Sequence, residues 1–316
     1  MSKIIVYGDF FLDEYISGSC SRISPERPIP ILEYKNITLN IGGAGNVVAN
    51  LKNIGANIFP IGFLGKDNVS NKIIALFKKA KINTNYFYRS NNISGISKTR
   101  IIADQQQIVR IDKEQEYFEH SKKFKNHVCQ TFLKLIKNNN VKFLLISDYG
   151  KGSADPALLK KLIEICNKKN IFVIIDPSKK KNNIEIYSNS FAITPNINEL
   201  KLINPNISNN NNQEIIKTAK TIIKNYNIQN IIITRSEKGI TLVTKKNHYH
   251  FKAIQKQVYD VSGAGDTVIA VVAHLLNNKC NIIKSVRIAN LCAGHVVGLS
   301  NTQPISKKDF QNYLKF

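Results

Sequence analysis

Seven residues near the end of the chain, Asp260-Val-Ser-Gly-Ala-Gly-Asp266, join a glycine turn to a carboxylate at the head of the apolar run Thr267–Leu276. Glycines at 263 and 265, with Ala264 between them, leave the backbone N–H groups of a helix start unobstructed. Those donors and the positive end of the helix dipole form an anion hole. Asp266 falls in the first helical turn and points at the same place. A carboxylate there can take a proton from an attacking hydroxyl while phosphate charge builds beside it. An ordinary helix after a glycine turn, with Asp in its first turn for dipole reasons, would read the same way.

The histidines supply no competing chemistry. His248 and His250 alternate on a strand-like stretch and share one face, with no third ligand in view, so an exposed polar face is expected rather than a metal site. His120 and His127 read as surface, His274 and His295 as packed on helices. Five scattered cysteines (Cys20, Cys129, Cys166, Cys280, Cys292) contain no C-x-x-C pair, which fits reduced thiols and a cytoplasmic protein.

The elements that must position Asp266 alternate. Lys3–Tyr7, Asn57–Gly62, Lys142–Ser147, Ile171–Asp176, Phe191–Thr194 and Ile231–Thr234 are short apolar runs that read as buried strands. Asn46–Ile54, Val69–Ala80, Phe124–Lys137, Ala157–Lys168, Gln213–Tyr226, Ala264–Leu276 and Val286–Val297 carry helical spacing. This pattern predicts an α/β fold with a central, mostly parallel sheet and helices on both faces, whose ligands sit at the carboxyl ends of the strands. Two segments break the alternation. Residues 13–38 and 88–112 are β-rich, and they are expected to form a small projecting sheet, a lid that excludes water from a reacting phosphate. A lone small sheet leaves an apolar face uncovered, so a homodimer through the lids is expected. The Asn/Ser tract Asn204–Gln213 reads as a solvated loop.

The 316 residues, 43% of them hydrophobic, suffice for one large α/β domain and argue against disorder. No run approaches a membrane span, and the N-terminus enters a strand pattern without a signal-peptide core. The formal charge of +23 could serve nucleic acid, but the lysines are spread along a chain also rich in Asn and Ile. Compositional drift with small anionic substrates accounts for that better, so neither nucleic acid nor membrane is expected as a partner.

Three motifs in order carry a family resemblance. Gly8-Asp9 through Leu12-Asp13 is similar to the opening substrate-binding strand of the ribokinase-like (PfkB) carbohydrate kinases. Gly42-Gly43-Ala44-Gly45-Asn46-Val47-Val48-Ala49-Asn50 resembles their first signature, and Asp-x-x-Gly-Ala-Gly-Asp266 their second. The match runs from Lys3 to about Ser306. Within the family, Ser21-Arg22-Ile23-Ser24-Pro25-Glu26-Arg27-Pro28-Ile29-Pro30 resembles a run of the D-glycero-β-D-manno-heptose 7-phosphate kinases. So do Gln106-Gln107 with Arg110-Ile111-Asp112, Ser147-Asp148-Tyr149-Gly150-Lys151-Gly152, and Val258-Tyr259-Asp260-Val261. Gly45 stands where those enzymes commonly have Ala, and Arg27 where a small residue is common.

The resemblance implies a single PfkB-type kinase domain over 1–316, without the nucleotidyltransferase domain of the bifunctional members, and a set of roles. Asp266 would be the base, with Gly263, Ala264 and Gly265 forming the anion hole. Asn196-Ile197-Asn198-Glu199 resembles the family's N-x-x-E motif, with Asn196 and Glu199 organising Mg²⁺ and phosphate largely through water. The same residues would make a helix cap. Ser236, Gly239 and Asn290 would line the ATP site. Asp260 belongs to a segment resembling the monovalent-cation loop of several relatives, which leaves K⁺ open as a second ion. Asp13, Gly42, Gly43 and Asn46 would bind sugar hydroxyls, and Lys98, Arg100 and Lys151 the phosphate of a phosphorylated sugar. The implied reaction is ATP-dependent phosphorylation of heptose 7-phosphate at C1. A PfkB-type kinase of another sugar, and a nucleic-acid-binding or regulatory protein on a kinase scaffold, are the alternatives.

Overall fold

Ile4 and Val6 project to one side of the first strand and Ile5 and Tyr7 to the other, and all four are buried. A strand buried on both faces needs a layer of helices on each. The computed structural model provides them, and describes residues 2–104, 106–114, 121–178, 184–208, 211–254, 261–299 and 302–315.

The chain begins with β1 (Lys3–Gly8), β2 (Phe10–Ile23), β3 (Pro30–Gly43), α1 (Ala44–Asn53), β4 (Asn57–Gly65) and α2 (Asn68–Lys79). Next come β5 (Phe87–Ser90), β6 (Ser97–Ala103), β7 (Gln106–Lys113), α3 (Lys122–Asn138), β8 (Val141–Ser147), α4 (Pro156–Lys168) and β9 (Phe172–Asp176). It continues with β10 (Ala192–Ile193), α5 (Ile197–Lys201), α6 (Asn212–Tyr226), β11 (Asn230–Thr234), β12 (Ile240–Thr244) and β13 (His248–Phe251). Last are α7 (Ala264–Asn277), α8 (Ile282–Val296) and α9 (Lys307–Tyr313).

The nine-stranded main sheet has the order β13-β12-β11-β10-β9-β8-β1-β4-β5. Its pairs are parallel from β11 to β5, and β12 pairs antiparallel with both β11 and β13. On one face Phe124 of α3, Leu159 of α4 and Ile222 of α6 pack with Ile5, Leu144 and Ile175. On the other, Val47 of α1, Ile73 of α2, Val271 of α7 and Ile288 of α8 pack with Ile4, Leu145 and Ile174. Each such fully buried side chain contributes about 1.5–3 kcal/mol.

The second sheet, β3-β2-β6-β7, is mixed, because β2 and β6 run parallel while the outer pairs are antiparallel. Its register sorts side chains by period two. Asn40, Asp13, Lys98 and Asp112 stand in one row across the four strands, and Thr38, Tyr15, Arg100 and Arg110 in the next but one. Between them, on the opposite face, lies the row Leu39, Glu14, Thr99 and Ile111, followed by Ile37, Ile16, Ile101 and Val109. One face is therefore polar and the other largely apolar, with Ile37, Val109 and Ile111 exposed on it.

The lid boundaries differ from expectation. β2 and β3 extend the first segment to 10–43, since the hairpin stays paired to its root at Phe10 and Gly43. Tyr88–Ser90 leave the second segment, because they pair with β4 as the edge of the main sheet. The strand expected over Phe191–Thr194 is only Ala192–Ile193. Helix α6 begins at Asn212 inside the expected polar loop, of which 209–210 lie outside the described residues.

Candidate active site

Among the described residues, two α-helices begin without a side-chain cap, α1 after Gly43 and α7 after Gly263. The others are capped by Asp67, Ser121, Asp155, Asn196, Asn211, Asn281 and Ser306. α1 and α7 meet at Asp266. Gly263 is left-handed (φ 82°), and a Cβ there would lie 2.4 Å from Asn46 Nδ2, so only glycine serves both backbone and neighbour. Asn46 Nδ2 donates to Asp266 Oδ2 at 2.9 Å, and Tyr149 Oη donates to Oδ1 at 3.0 Å. Asp266 is 3% exposed. Burial pushes its carboxyl up from the ordinary value to about 6, Asp13 adds to that, and the Asn46 and Tyr149 hydrogen bonds and Lys98 oppose it. A carboxylate whose proton affinity lies near neutrality is suited to accept a proton and release it again.

The polar face of the lid supplies the next layer. Asp13 is buried and bound to Arg100 by a 2.6 Å ion pair, while the guanidinium carbon sits 5.0 Å from the Tyr15 ring centre. A Cβ on Gly42 would fall 2.2 Å from Asp13 Oδ2, so this glycine makes room for the carboxylate. Lys98 is half-buried over Phe11, with its ammonium 4.5 Å from that ring and 6.0 Å from Tyr149. Burial lowers its pKa, against Asp13 and Asp112 and with Lys151 and Arg110. Lys151 is paired with Glu114, and Arg110 with Asp112. Thus Asp13, Gly42, Gly43, Asn46, Lys98, Arg100 and Asp266 converge. Arg100 is held on Asp13 and Lys151 on Glu114, while Lys98 makes no ion pair among the described residues.

Asn196 and Glu199 close a capping box at the start of α5. Asn196 Oδ1 accepts from the Glu199 N–H, and Glu199 Oε2 and Oε1 accept from the Asn196 N–H and Nδ2. Ile197 is packed in the core and Asn198 is exposed. The box sits at the carboxyl edge of the main sheet, where Asn196 bridges to Thr234. Each Glu199 carboxylate oxygen accepts one hydrogen bond from Asn196, and contact with a hydrated metal through its water shell is compatible with that cap. Ser236 is exposed in the turn that ends at Gly239 (φ 86°). Asn290 is buried and donates to the Lys252 carbonyl at 2.8 Å, anchoring the segment after β13 to α8. Asp260 lies outside the described residues.

Sequence reasoning missed three residues here. Asp9, fully buried, accepts from the N–H groups of Tyr149, Lys151 and Ser153 and so shapes the loop after β8. Asp176 accepts from Thr194 Oγ1 at the end of β9, with its other oxygen 3.9 Å from where a Gly265 Cβ would stand. Asp9 and Tyr149 lay within motifs quoted only for likeness. A buried acid after a strand reads as a turn residue, and only the fold brings Asp176 and Tyr149 to α7 and Asp9 to the loop that carries Tyr149.

An α/β fold with a buried carboxylate at a glycine-capped helix start, beneath the polar face of a small sheet, defines a carbohydrate kinase of ribokinase-like fold. The chain matches the pfkB family carbohydrate kinase model over residues 1–309 and belongs to that family, phosphotransferases with an alcohol group as acceptor. It is 38% identical over 296 residues to the bifunctional protein HldE of Aliarcobacter butzleri, covering 94% of this chain and 61% of that one. It is 34% identical over 314 residues to the bifunctional protein HldE of Haemophilus influenzae, covering 98% and 63%. The chain therefore spans somewhat under two thirds of the length of these relatives. Among solved structures it resembles phosphofructokinase-2 from Escherichia coli in complex with substrates and products, at TM-score 0.79 and 16% identity over 100% and 99% of the two chains. Ribokinase from Thermotoga maritima aligns at TM-score 0.74 and 20% identity over 100% of each. No helix among the described residues is long and apolar enough to cross a membrane.

Proposed function

We propose that this kinase transfers the γ-phosphoryl group of ATP to the C1 hydroxyl of D-glycero-β-D-manno-heptose 7-phosphate. The products are the 1,7-bisphosphate and ADP, on the way to nucleotide-activated heptose for the lipopolysaccharide core. The observation that carries the reading is the doubly hydrogen-bonded, buried Asp266 at the uncapped start of α7. The acceptor oxygen attacks the γ-phosphorus, its proton passes to Asp266, and the bond to the ADP oxygen breaks. The N–H groups of the α7 turn face the charge that builds on the phosphoryl oxygens.

The family's divalent metal is read as Mg²⁺; Asn196 and Glu199 would hold it through water, and it would supply charge neutralisation to the nucleotide phosphates. Ser236, Gly239 and Asn290 border the nucleotide, and Asp260 is kept as a candidate for the K⁺ loop. Asp13 and Asn46 accept and donate to sugar hydroxyls, and Gly42 and Gly43 let the ring approach. Lys98, with Arg100 and Lys151 beside it, takes the 7-phosphate. The similarity to HldE proteins and the Ser21–Pro30 run support the heptose over other sugars.

The apolar lid row of Ile37, Ile16, Ile101 and Val109 supports a homodimer through this face, and a monomer in sedimentation would exclude it. A cytoplasmic location fits the free cysteines. The substrate reading is tested by ADP release over a panel of sugars and sugar phosphates. Heptose 7-phosphate is expected to give the highest kcat/KM, and a preference for another sugar would move the chain elsewhere in the family. Tight, salt-dependent DNA binding without sugar-stimulated turnover would replace the kinase reading with a nucleic-acid one.

A further inference from the structure

Tyr149 takes no part in the chemistry described so far, yet the structure fixes it from three sides. Its hydroxyl donates to Asp266 Oδ1 at 3.0 Å, opposite the Asn46 amide on Oδ2. Its backbone N–H donates to Asp9 Oδ2 at 2.9 Å, and the same buried carboxylate accepts from Lys151 at 3.0 Å and Ser153 at 2.8 Å. Its ring meets Phe11 edge-on, with centroids 5.2 Å apart and planes at 77°. Gly150 (φ 66°) and Gly152 (φ 117°) give the loop the turns that let the donors of three alternate residues face one acid.

We propose that Tyr149 is a positioning residue for phosphoryl transfer: its hydroxyl, with the Asn46 amide, locks the plane of the Asp266 carboxylate so that a free lone pair faces the acceptor hydroxyl. This deepens the reading of Asp266 as the base and rests on it. Each carboxylate oxygen spends one lone pair on a fixed donor and keeps one for the incoming proton. Rotation of the carboxylate about its Cβ–Cγ bond would break both hydrogen bonds together.

The electrostatics agree with the geometry. The groups facing Asp266 are Asp13 from β2, Lys98 from β6, Asn46 from α1 and Tyr149 from the β8 loop. The Tyr149 phenol is held well above its ordinary value, by burial first and then by the charges of Asp266, Asp176 and Asp13. It therefore stays protonated across the working pH range and remains the donor to Asp266. Its hydrogen bond pulls the Asp266 carboxyl down against the burial that raises it. Removing the hydroxyl should leave the base misaligned and harder to ionise.

The test is Tyr149→Phe, which keeps the ring on Phe11 and deletes the one oxygen. Three quantities are read: kcat against pH with the wild-type's preferred sugar phosphate, KM for ATP, and the Asp266 carboxyl titration by carbon-13 NMR, which needs no turnover. The expected result is a fall in kcat of about 10-fold, with KM for ATP unchanged. The acidic limb and the NMR titration should both move up by about one pH unit. A purely structural role for the ring would leave the titration where it is. Unchanged kcat and titration in the Phe variant, beside a wild-type acidic limb near 6 and an inactive Asp266→Asn, would overturn the role of Tyr149 alone. Near-normal turnover in Asp266→Asn would remove the base assignment and this proposal with it.

Discussion

Asn46, at the start of α1, and Asp266, at the start of α7, lie 220 positions apart and share a 2.9 Å hydrogen bond. Asn46 is itself held, because Asn50 Nδ2 donates to its backbone oxygen at 2.9 Å and its side-chain oxygen at 3.3 Å. Asn50 Oδ1 in turn accepts from Thr267 Oγ1 and from the Ile305 N–H. Two asparagines one turn apart thus tie both uncapped helices and the C-terminal segment to the carboxylate.

Asn46→Asp should therefore place two carboxylates at hydrogen-bond distance, where both cannot ionise at neutral pH. Turnover is expected to fall at least about 10-fold and the acidic limb to rise above its wild-type position. A pH–rate profile checks this, and a profile superimposable on wild type would remove Asn46 from the site.

Much of this was legible because the strands that carry the site are buried on both faces. Lys3–Tyr7 and Lys142–Ser147 are continuous apolar runs, and such runs between turns have few other homes. The Gly263–Asp266 turn was legible because glycines before an apolar helix leave little else to read. The hairpin partner β12 was missed, since Ile240–Thr244 is too short to separate from the buried strand before it. The lid edge was misplaced because Phe87–Ser90 has the same β-rich composition whichever sheet it joins. The roles of Asp9 and Tyr149, both quoted only within motifs, went unread for a different reason. Their importance lies in a contact across 140 positions, and local pattern carries no trace of it.

Burial of Asp266 sets a pH dependence of stability. Its folded value, raised to about 6 from 3.8, means that the folded state binds more protons between those pH values. Stability from this group is full below about 4, is lost as pH rises through about 6, and stays lost above. Asp266→Asn removes the buried charge, so the variant should gain about 2 kcal/mol on wild type between pH 4 and 7.5. Urea unfolding at a series of pH values reads the difference directly. A gap that is constant with pH would mean that the carboxyl titrates as an exposed one.

The capping box at α5 makes Glu199→Gln a two-sided test. Loss of one acceptor should cost about 1 kcal/mol of stability, because the cap is weakened. If Glu199 also holds the metal's water shell, the Mg²⁺ concentration for half-maximal rate should rise and kcat fall, with KM for sugar little changed. A Mg²⁺ titration identical to wild type, beside the lowered stability, would leave Asn196 and Glu199 with the cap alone.

Lys98→Met keeps an apolar stem on Phe11 and removes the charge. A desolvated charge-assisted contact is worth roughly 1.5–3 kcal/mol, so kcat/KM for heptose 7-phosphate should fall about 10- to 100-fold. Unphosphorylated heptose should be affected far less, and KM for ATP not at all. An equal loss on both sugars would shift Lys98 from the distal phosphate to the acceptor end, beside Asp266.

Phosphoryl transfer at this site depends most on Asp266 taking the acceptor proton. Its direct measure is single-turnover transfer from ATP to heptose 7-phosphate by Asp266→Asn and wild type, with ATP affinity measured on both. Asparagine keeps the size but cannot accept the proton, so the transfer rate is expected to fall by about 10² or more while ATP binds as before. Transfer within a few-fold of wild type by the folded, ATP-binding variant would contradict the account.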